Sequence, residues 1–247
     1  MTVPPLAIVQ ARMASTRLPG KALLPLADGR PILAHVVERA AAAFGEANVV
    51  VATTDAPSNA PICEWATANN TLWFAWTGDE SDVLGRFHGV AHAYRWNPSS
   101  VIVRVTADDP FKSPEAMRRV AAGERLPVEV GAEAFTLAML DAAQERTAAD
   151  AFRDGMSGWT RKQFLREHIT DALFPSRVPS PTDGRCWTVD TPADYERAVE
   201  RSKTERRDFN LPRLPLIPEP IPGDPTRMHV PGLRAAFARD IAGMKPL

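Results

Sequence analysis

Residues 6–10 read Leu-Ala-Ile-Val-Gln, an apolar run with the length of a buried central strand. A second such run, Asn-Val-Val-Val-Ala-Thr, occupies residues 48–53, and between the two, apolar side chains recur at helical spacing over residues 32–44. The alternation continues with predicted helices at 57–69 and 81–95 and predicted strands at 71–76 and 100–106. Alternating strands and helices predict an α/β fold with a doubly wound, mostly parallel sheet.

The second half of the chain has a less regular pattern. It predicts strands at 127–130 and 185–189 and helices at 132–144, 161–174 and 192–201. Thr191 is the expected N-cap of the last of these helices. Seven prolines between Leu211 and Pro231 exclude regular helix and central strand there, so we expect an extended surface path and then a short terminal helix. The predicted layout is one domain over residues 1–205 and a proline-rich arm over residues 206–247.

Composition limits the class of protein. The 247 residues carry a net charge of −1, which gives no general attraction to nucleic acid or acidic membranes. No apolar stretch approaches the 18 residues of a bilayer-spanning helix, and the start lacks the pattern of a signal peptide. The two cysteines, Cys63 and Cys186, are too few for a disulfide framework and are expected to be small buried side chains. We therefore predict a cytoplasmic protein that binds neither nucleic acid nor membrane.

The most informative stretch is the loop directly after the first strand, residues 10–21, Gln-Ala-Arg-Met-Ala-Ser-Thr-Arg-Leu-Pro-Gly-Lys. In open α/β sheets ligands bind outside the carboxyl ends of the strands, where this loop begins. Arg12, Arg17 and Lys21 place three cations beside backbone donors, a combination that suits a triphosphate. Gly20-Lys21 lacks the first glycine and the hydroxyl residue of a Walker A loop, so that motif is excluded. The spacing alone fits a solvated basic surface loop equally well.

Read as a whole, this loop resembles the opening signature of the SpsF-like cytidylyltransferase family, which is related to the 3-deoxy-manno-octulosonate and acylneuraminate cytidylyltransferases. The resemblance continues in order down the chain. Matching segments are VATTD at 51–55, GDESDVLGRF at 78–87, RVTADDP at 104–110, VEV at 128–130, REHIT at 166–170 and WTVDTP at 187–192. The resemblance implies a Rossmann-like three-layer sandwich of the nucleotide-diphospho-sugar transferase type. It implies transfer of CMP from CTP to a sugar-acid-like acceptor, with release of pyrophosphate.

The resemblance also implies roles for individual residues. The first loop would wrap the CTP phosphates, with Arg12 and Lys21 neutralising the triphosphate and the departing pyrophosphate, as catalytic residues together with Asp108. The nucleotide-binding residues that it implies are Gln10, Ala11, Arg12, Ser15, Lys21, Asp82, Arg86 and Arg104. Asp82 fits a second interpretation equally well, as a carboxylate that stabilises the start of a helix.

Two acids, Asp108 and Asp190, each follow a predicted strand and precede a turn that contains proline. They should therefore emerge at one edge of the sheet, where converging carboxylates need a cation between them. The resemblance implies that both bind Mg²⁺ bridging to the α-phosphate, and oxygen ligands suit that ion. Asp190 could instead cap the helix that follows, although Thr191 is the better cap. Asp109 is a weaker candidate and is expected either to support the metal ligands from behind or to be a turn residue.

The histidines carry less information. The resemblance implies acceptor contacts for Glu167 and His168, whereas the residues alone favour a capping or packing role for His168. His35, His88 and His92 fall in predicted helices, and we interpret them as structural or solvated.

The chain departs from the family pattern in two places. Ala107 replaces a glycine before Asp108, which is tolerable if the backbone φ there is negative. The segment at 111–127 is short where relatives carry part of the acceptor pocket, which favours a small or unusual acceptor. CMP transfer to a phosphonate or phosphate, a non-catalytic nucleotide-binding descendant, and a transferase that uses an activated nucleotide-sugar remain alternatives. The resemblance suggests a homodimer, and the short segment leaves that assembly open.

Overall fold

A computed structural model describes residues 5–80, 82–94, 100–123, 132–142, 144–145 and 188–204, and the backbone of 219–221 and 224–229. Its main sheet has five strands: β1 (Leu6–Gln10), β2 (Val49–Thr54), β3 (Leu72–Trp76), β4 (Val101–Thr106) and β5 (Ala132–Thr136). Its helices are α1 (Ile32–Phe44), α2 (Ala60–Ala68), α3 (Val83–Ala93), α4 (Pro114–Ala121) and α5 (Pro192–Ser202).

The strands lie in the order β3-β2-β1-β4-β5. The first four are parallel, and β5 pairs antiparallel with β4 at the edge. The predicted α/β architecture with a mostly parallel sheet is confirmed. The predicted bounds of β1 and α1 match the observed elements, because each is a continuous or periodic apolar run that tertiary packing had no reason to alter.

Two apolar clusters cover the two faces of the sheet. One lies between the sheet and α1, α2, α4 and α5, with Val9, Val51 and Val105 at its centre. The other joins Ile8 and Ile102 to α3 and to the residues that follow β5. Side chains of a strand alternate between these two clusters, so both faces of the central strands are buried and their sequences read as unbroken apolar runs.

Residues 132–144 correct the sequence prediction. They do not form one helix, because Ala132–Thr136 is strand β5, and helix begins only at residue 137. Phe135 packs against the α3 side of the sheet, and its backbone pairs with Ile102 on β4. An alanine-rich stretch has high helix propensity, but the unpaired edge of β4 offers it a strand partner, and that tertiary pairing prevails.

Helix starts differ from the predictions by small amounts. Asp82 is the N-cap of α3, and its side chain accepts a hydrogen bond from the backbone of Gly85. Ser81, the expected cap, lies outside the described residues. Residues 57–59 form a separate 3-10 turn before α2. Thr191 caps α5 as predicted, in a capping box with Asp194.

The remaining predictions fall partly outside the described residues. These are the strand at 127–130, the helix at 161–174 and most of the strand at 185–189, whose described end at 188–189 is not strand. In the predicted arm, the backbones of Glu219–Ile221 and Asp224–His229 pair as an antiparallel hairpin, β6 and β7. Cys63 is half-buried, and burial raises the pKa of its thiol to about 11. None of the helices in the described part of the chain is long and apolar enough to cross a membrane.

Candidate functional site

The strand order creates a crevice at the carboxyl ends of β1 and β4. From β1 the chain moves outward through β2 to β3, and it then returns to β4 on the other side of β1. Gln10 and Thr106 are partners at the ends of these two strands. The following Ala107 N–H donates to the carbonyl of Gln10. Such a switch point is where ligands bind in open α/β sheets.

The first loop, residues 11–21, folds over this crevice. Met13 holds its turn together, because the N–H groups of Ser15 and Gly20 both donate to the Met13 carbonyl. Gly20 has a φ of 72°, a left-handed conformation that glycine adopts without a steric cost. The Ser15 hydroxyl accepts a hydrogen bond from the Leu18 N–H, so this predicted phosphate ligand also stabilises the loop.

Asn59 anchors the loop from outside and was missed by the sequence analysis. Its side chain is fully buried. Its Oδ1 accepts a 2.8 Å hydrogen bond from the Met13 N–H, and its Nδ2 donates to Thr54 Oγ1 at 2.7 Å. The sequence contains no signal for this contact, since an asparagine before a helix is ordinarily read as a cap.

Lys21 lies at the centre of the site. Its Nζ donates to Asp108 Oδ2 at 2.8 Å, to Asp190 Oδ1 at 2.8 Å and to the Val189 carbonyl at 2.9 Å. All three ammonium hydrogens therefore have acceptors. The two predicted carboxylates converge on one cation, as expected, but that cation belongs to the protein.

The Asp108 carboxyl carries the clearest electrostatic signature of the site. Burial would raise the pKa of this carboxyl. The charge and hydrogen bond of Lys21, a hydrogen bond from Thr106 and the charge of Lys112 together outweigh burial, so the pKa is lowered. Its second oxygen, Oδ1, is buried and has no hydrogen-bond partner among the described residues. An ionised carboxylate with one unused buried oxygen is suited to accept a further ligand.

Asp190 reaches the site through the turn before α5. The Val189 N–H donates to the Asp108 carbonyl at 2.7 Å, which ties this turn to the end of β4. Asp194 accepts hydrogen bonds from the backbone N–H groups of both Asp190 and Thr191. Since Thr191 and Asp194 complete the cap, the Asp190 carboxylate is left to bind Lys21 and, at 2.9 Å, Arg17.

Asp109 has a different role from Asp108. Its side chain is buried, and Oδ1 accepts the N–H of Phe111 while Oδ2 lies 3.6 Å from the fully buried ammonium of Lys112. Burial lowers the pKa of Lys112, which the neighbouring Asp109 and Asp108 oppose. Asp109 therefore supports the backbone after β4 and the buried Lys112, and it does not contact Lys21 among the described residues. Ala107, beside this turn, does not have a positive φ, so its replacement of glycine introduces no backbone strain.

Arg86 is the second unusual charge of the region. It is fully buried on α3, and Nη2 donates to the Glu80 carbonyl at 2.6 Å. Its Nε and Nη1 have no hydrogen-bond partner among the described residues. Burial is the main reason that the pKa of Arg86 is lowered to about 10. The charges of Glu80 and Asp82 raise this pKa, and the charge of Arg12 lowers it further.

Arg104 lies on the same face of the sheet as α3. It donates to Gln10 Oε1 at 3.3 Å and forms an ion pair with Glu133 on β5. Glu133 was not predicted as a site residue, because its segment was interpreted as helix. This chain of polar groups links the end of β1 to the edge strand.

The predicted residues thus fall into three sets. Lys21 contacts both Asp108 and Asp190, and Arg17, one of the three cations noted in the first loop, also pairs with Asp190. Those on the first loop or the α3 side of the crevice are Gln10, Ala11, Arg12, Ser15, Asp82, Arg86 and Arg104. Glu167 and His168 lie outside the described residues.

Comparison with known proteins agrees with this geometry. The Cytidylyltransferase sequence family matches residues 6–125. The spore coat polysaccharide biosynthesis protein SpsF of Bacillus subtilis is 30% identical over 224 residues, which cover 84% of this chain and 90% of the relative. The chain belongs to the cytidylyltransferase family. This family membership makes it a nucleotidyltransferase.

The chain is also similar to other cytidylyltransferases of known sequence or structure. The 3-deoxy-manno-octulosonate cytidylyltransferase of Yersinia enterocolitica is 34% identical over 178 residues, covering 67% of this chain and 68% of the relative. A cytidylyltransferase structure from Leptospira borgpetersenii superposes with a TM-score of 0.65 at 25% identity, covering 83% of this chain and 89% of that one. A CMP:2-keto-3-deoxy-manno-octonic acid synthetase complexed with CTP shares the fold, with a TM-score of 0.53 at 17% identity, 83% coverage of this chain and 100% of that one.

Proposed function

We propose that this protein transfers CMP from CTP to an oxygen nucleophile of a sugar-acid-like acceptor, with release of pyrophosphate, in a Mg²⁺-dependent reaction. The observation that carries the proposal is the convergence of Lys21, Asp108 and Asp190 at the carboxyl ends of β1 and β4. Cations and carboxylates together at a switch point are what a nucleoside triphosphate and its metal require.

The first loop supplies the phosphate contacts in this proposal. Arg12 is exposed and has no hydrogen bond or ion pair among the described residues, so its guanidinium is available to an anion. Arg17 is also largely exposed, although it pairs with Asp190. Lys21 can exchange one of its carboxylate contacts for a phosphate oxygen while its Val189 contact holds it in place. Charge-assisted contacts of this kind are about twice as strong as neutral hydrogen bonds.

The α3 side of the crevice is where we propose that the base and ribose bind. Gln10 and Arg104 offer polar groups there, and Arg86 holds two buried donors that have no partner among the described residues. A ligand acceptor atom that reached Arg86 would remove the cost of those unsatisfied donors. This gives the chain a physical reason to keep a buried arginine that the described part of the fold satisfies only through Nη2.

The carboxylates fit a magnesium ion. Asp108 and Asp190 offer hard oxygen ligands from adjacent chain segments, and Asp108 Oδ1 is a buried oxygen without a hydrogen-bond partner in the described structure. Lys21 shows that a positive charge is accommodated between them. When bound, Mg²⁺ would polarise the α-phosphate and offset charge on the pyrophosphate.

The reaction is an in-line displacement at the α-phosphorus. A bond forms from the acceptor oxygen to phosphorus, the bond to the bridging oxygen of pyrophosphate breaks, and the acceptor proton passes to solvent. The side chains perform no covalent step. Arg12 and Lys21 hold the phosphates in the reactive orientation and stabilise the charge that develops on the leaving pyrophosphate.

The acceptor remains the least specified part of the proposal. Within the short 111–127 segment, α4 packs through the buried Met117 into the core beside α1. This supports a small acceptor, with a phosphonate or phosphate as the alternative to a sugar acid.

The test is calorimetric binding of each of the four nucleoside triphosphates, with and without Mg²⁺. We expect Mg²⁺-dependent selection of CTP, weakened in Asp108→Ala and unchanged in Glu200→Ala, which removes an exposed carboxylate from α5. That result justifies a screen of acceptors by pyrophosphate release. Indifference to all four triphosphates would overturn the proposal and favour a nucleotide-sugar-binding role.

A further inference from the structure

A second polar cluster lies on α3, away from the nucleotide crevice. His88 and His92 are four residues apart on one face of the helix, and Asp141 faces them from the helical residues 137–142 after β5. Asp82 caps the opposite end of α3 from His92, and Arg86 lies between Asp82 and His88. With a rise of about 1.5 Å per residue, His92 is roughly 15 Å along the helix from Asp82.

Three potential ligand atoms converge in this cluster. His88 Nε2 and His92 Nε2 are 3.0 Å apart, and Asp141 Oδ1 lies 3.1 Å from the first and 3.4 Å from the second. Ligands at metal distances of about 2.0–2.1 Å in tetrahedral geometry are separated by about 3.3–3.4 Å. The observed triangle approaches one face of such a tetrahedron.

Hydrogen bonding alone does not account for all three contacts. If both imidazoles donate through Nε2 to Asp141, two N–H groups oppose each other across the 3.0 Å contact. If His92 donates to His88, the His88 lone pair faces the carboxylate instead. Every neutral arrangement of the ring protons therefore leaves one unfavourable pair, whereas a cation at the common point makes all three contacts favourable.

We propose that His88, His92 and Asp141 bind one divalent transition-metal ion of the Zn²⁺ class. Two imidazoles and one carboxylate suit such an ion, whereas Mg²⁺ prefers oxygen ligands alone. The His92 side chain is 56% exposed and that of Asp141 is 38% exposed, so water can complete the coordination. The ion would join the end of α3 to the segment after β5, and so stabilise the helix that carries Arg86.

The sequence interpretation of His88 and His92 as structural or solvated residues did not anticipate this arrangement. The spacing of four residues puts both rings on one helix face, but the third ligand comes from a segment 49 residues further along the chain. Only the packing of residues 137–142 against α3 brings Asp141 to them.

The proposal is tested with Co²⁺ and Zn²⁺ added to the metal-free full-length chain. We expect one Co²⁺ to bind with the intense visible absorption of four-coordinate geometry, and Zn²⁺ to displace it while Mg²⁺ does not. His92→Ala and Asp141→Asn should each raise the dissociation constant more than about 100-fold, the upper range for loss of a metal's outer-shell partners. Glu64→Gln removes an exposed carboxylate from α2 and is the matched control.

Asp108→Ala separates this site from the nucleotide crevice, and the variant should retain the absorption. Zn²⁺ should also raise the melting temperature of the wild-type chain and of Asp108→Ala, but not that of His92→Ala. An ion that binds only the folded state stabilises that state. The absence of stoichiometric binding, or binding that survives both His92→Ala and Asp141→Asn, would overturn the proposal. Circular dichroism establishes that these surface variants are folded, and Asp141→Asn provides an independent readout if His92→Ala is not.

Discussion

Lys21 donates a 2.8 Å hydrogen bond to Asp108 across 87 residues of sequence, and this contact joins the first loop to the end of β4. The same ammonium binds Asp190, so one cation links three separate segments of the chain. In the proposed reaction, this lysine both keeps the two carboxylates together before the nucleotide arrives and binds phosphate afterwards.

Lys21→Met removes the ammonium and keeps most of the aliphatic stem. We expect kcat/KM with an acceptor found by the screen to fall by about 10²–10³-fold, the loss typical of one electrostatic stabiliser. CTP affinity measured by calorimetry should fall as well. Lys203→Met, which removes an exposed lysine paired with Glu200, is the control and should leave both values unchanged. Equal values in the two variants would contradict the role of Lys21.

The lowered pKa of Asp108 predicts a pH dependence of stability. Because its pKa is lower in the folded chain than the unfolded value of about 3.9, its charge stabilises the fold above that pH. The contribution is lost as the pH falls below that value through the folded pKa. Urea unfolding between pH 5 and pH 2 should therefore show a smaller loss of unfolding free energy for Asp108→Asn than for the wild type.

The Lys21→Met variant provides the matching test of cause. Lys21 is the main group that lowers the pKa of Asp108. Its removal should therefore reduce the loss of unfolding free energy between pH 5 and pH 2, and the Lys21→Met, Asp108→Asn double variant should reduce that loss no further. If the wild type and Asp108→Asn lose the same unfolding free energy between pH 5 and pH 2, the Asp108–Lys21 contact has no part in acid stability.

Asn59→Ala should loosen the first loop. The change leaves the Met13 N–H and Thr54 Oγ1 without their partner, and we expect the free energy of unfolding to fall by about 1–3 kcal/mol. CTP affinity should also fall, because the loop must then be ordered on binding. Asn69→Ala removes one exposed hydrogen bond at the end of α2 and should cost about 0.5 kcal/mol or less. Unchanged CTP affinity in Asn59→Ala would mean that binding does not depend on this anchor.

Arg86→Met separates stability from function. The variant removes a buried charge with two donors unsatisfied in the described structure, so its unfolding free energy should stay level or rise. CTP affinity should fall about tenfold or more. Arg39→Met, at a buried arginine that donates to the Lys112 carbonyl, should show the reverse, with lower stability and unchanged affinity. A large loss of stability in Arg86→Met would assign this arginine to the fold alone.

The sequence by itself determined the parallel core, the position of the first loop and the place of Asp108 directly after β4. Continuous apolar runs mark buried strands, and residues that follow parallel strands must meet at one edge of the sheet. The cap at Thr191 was equally readable, since a capping box is a local interaction between neighbours in the sequence.

Tertiary structure alone decided the rest. Residues 132–136 became an edge strand because β4 offered unpaired backbone groups, and this brought Glu133 to Arg104. The Asn59 anchor, the unsatisfied donors of Arg86 and the meeting of His88 and His92 with Asp141 depend on distances across different elements. Local patterns record which face of an element is buried, whereas such contacts are determined only when those faces pack against one another.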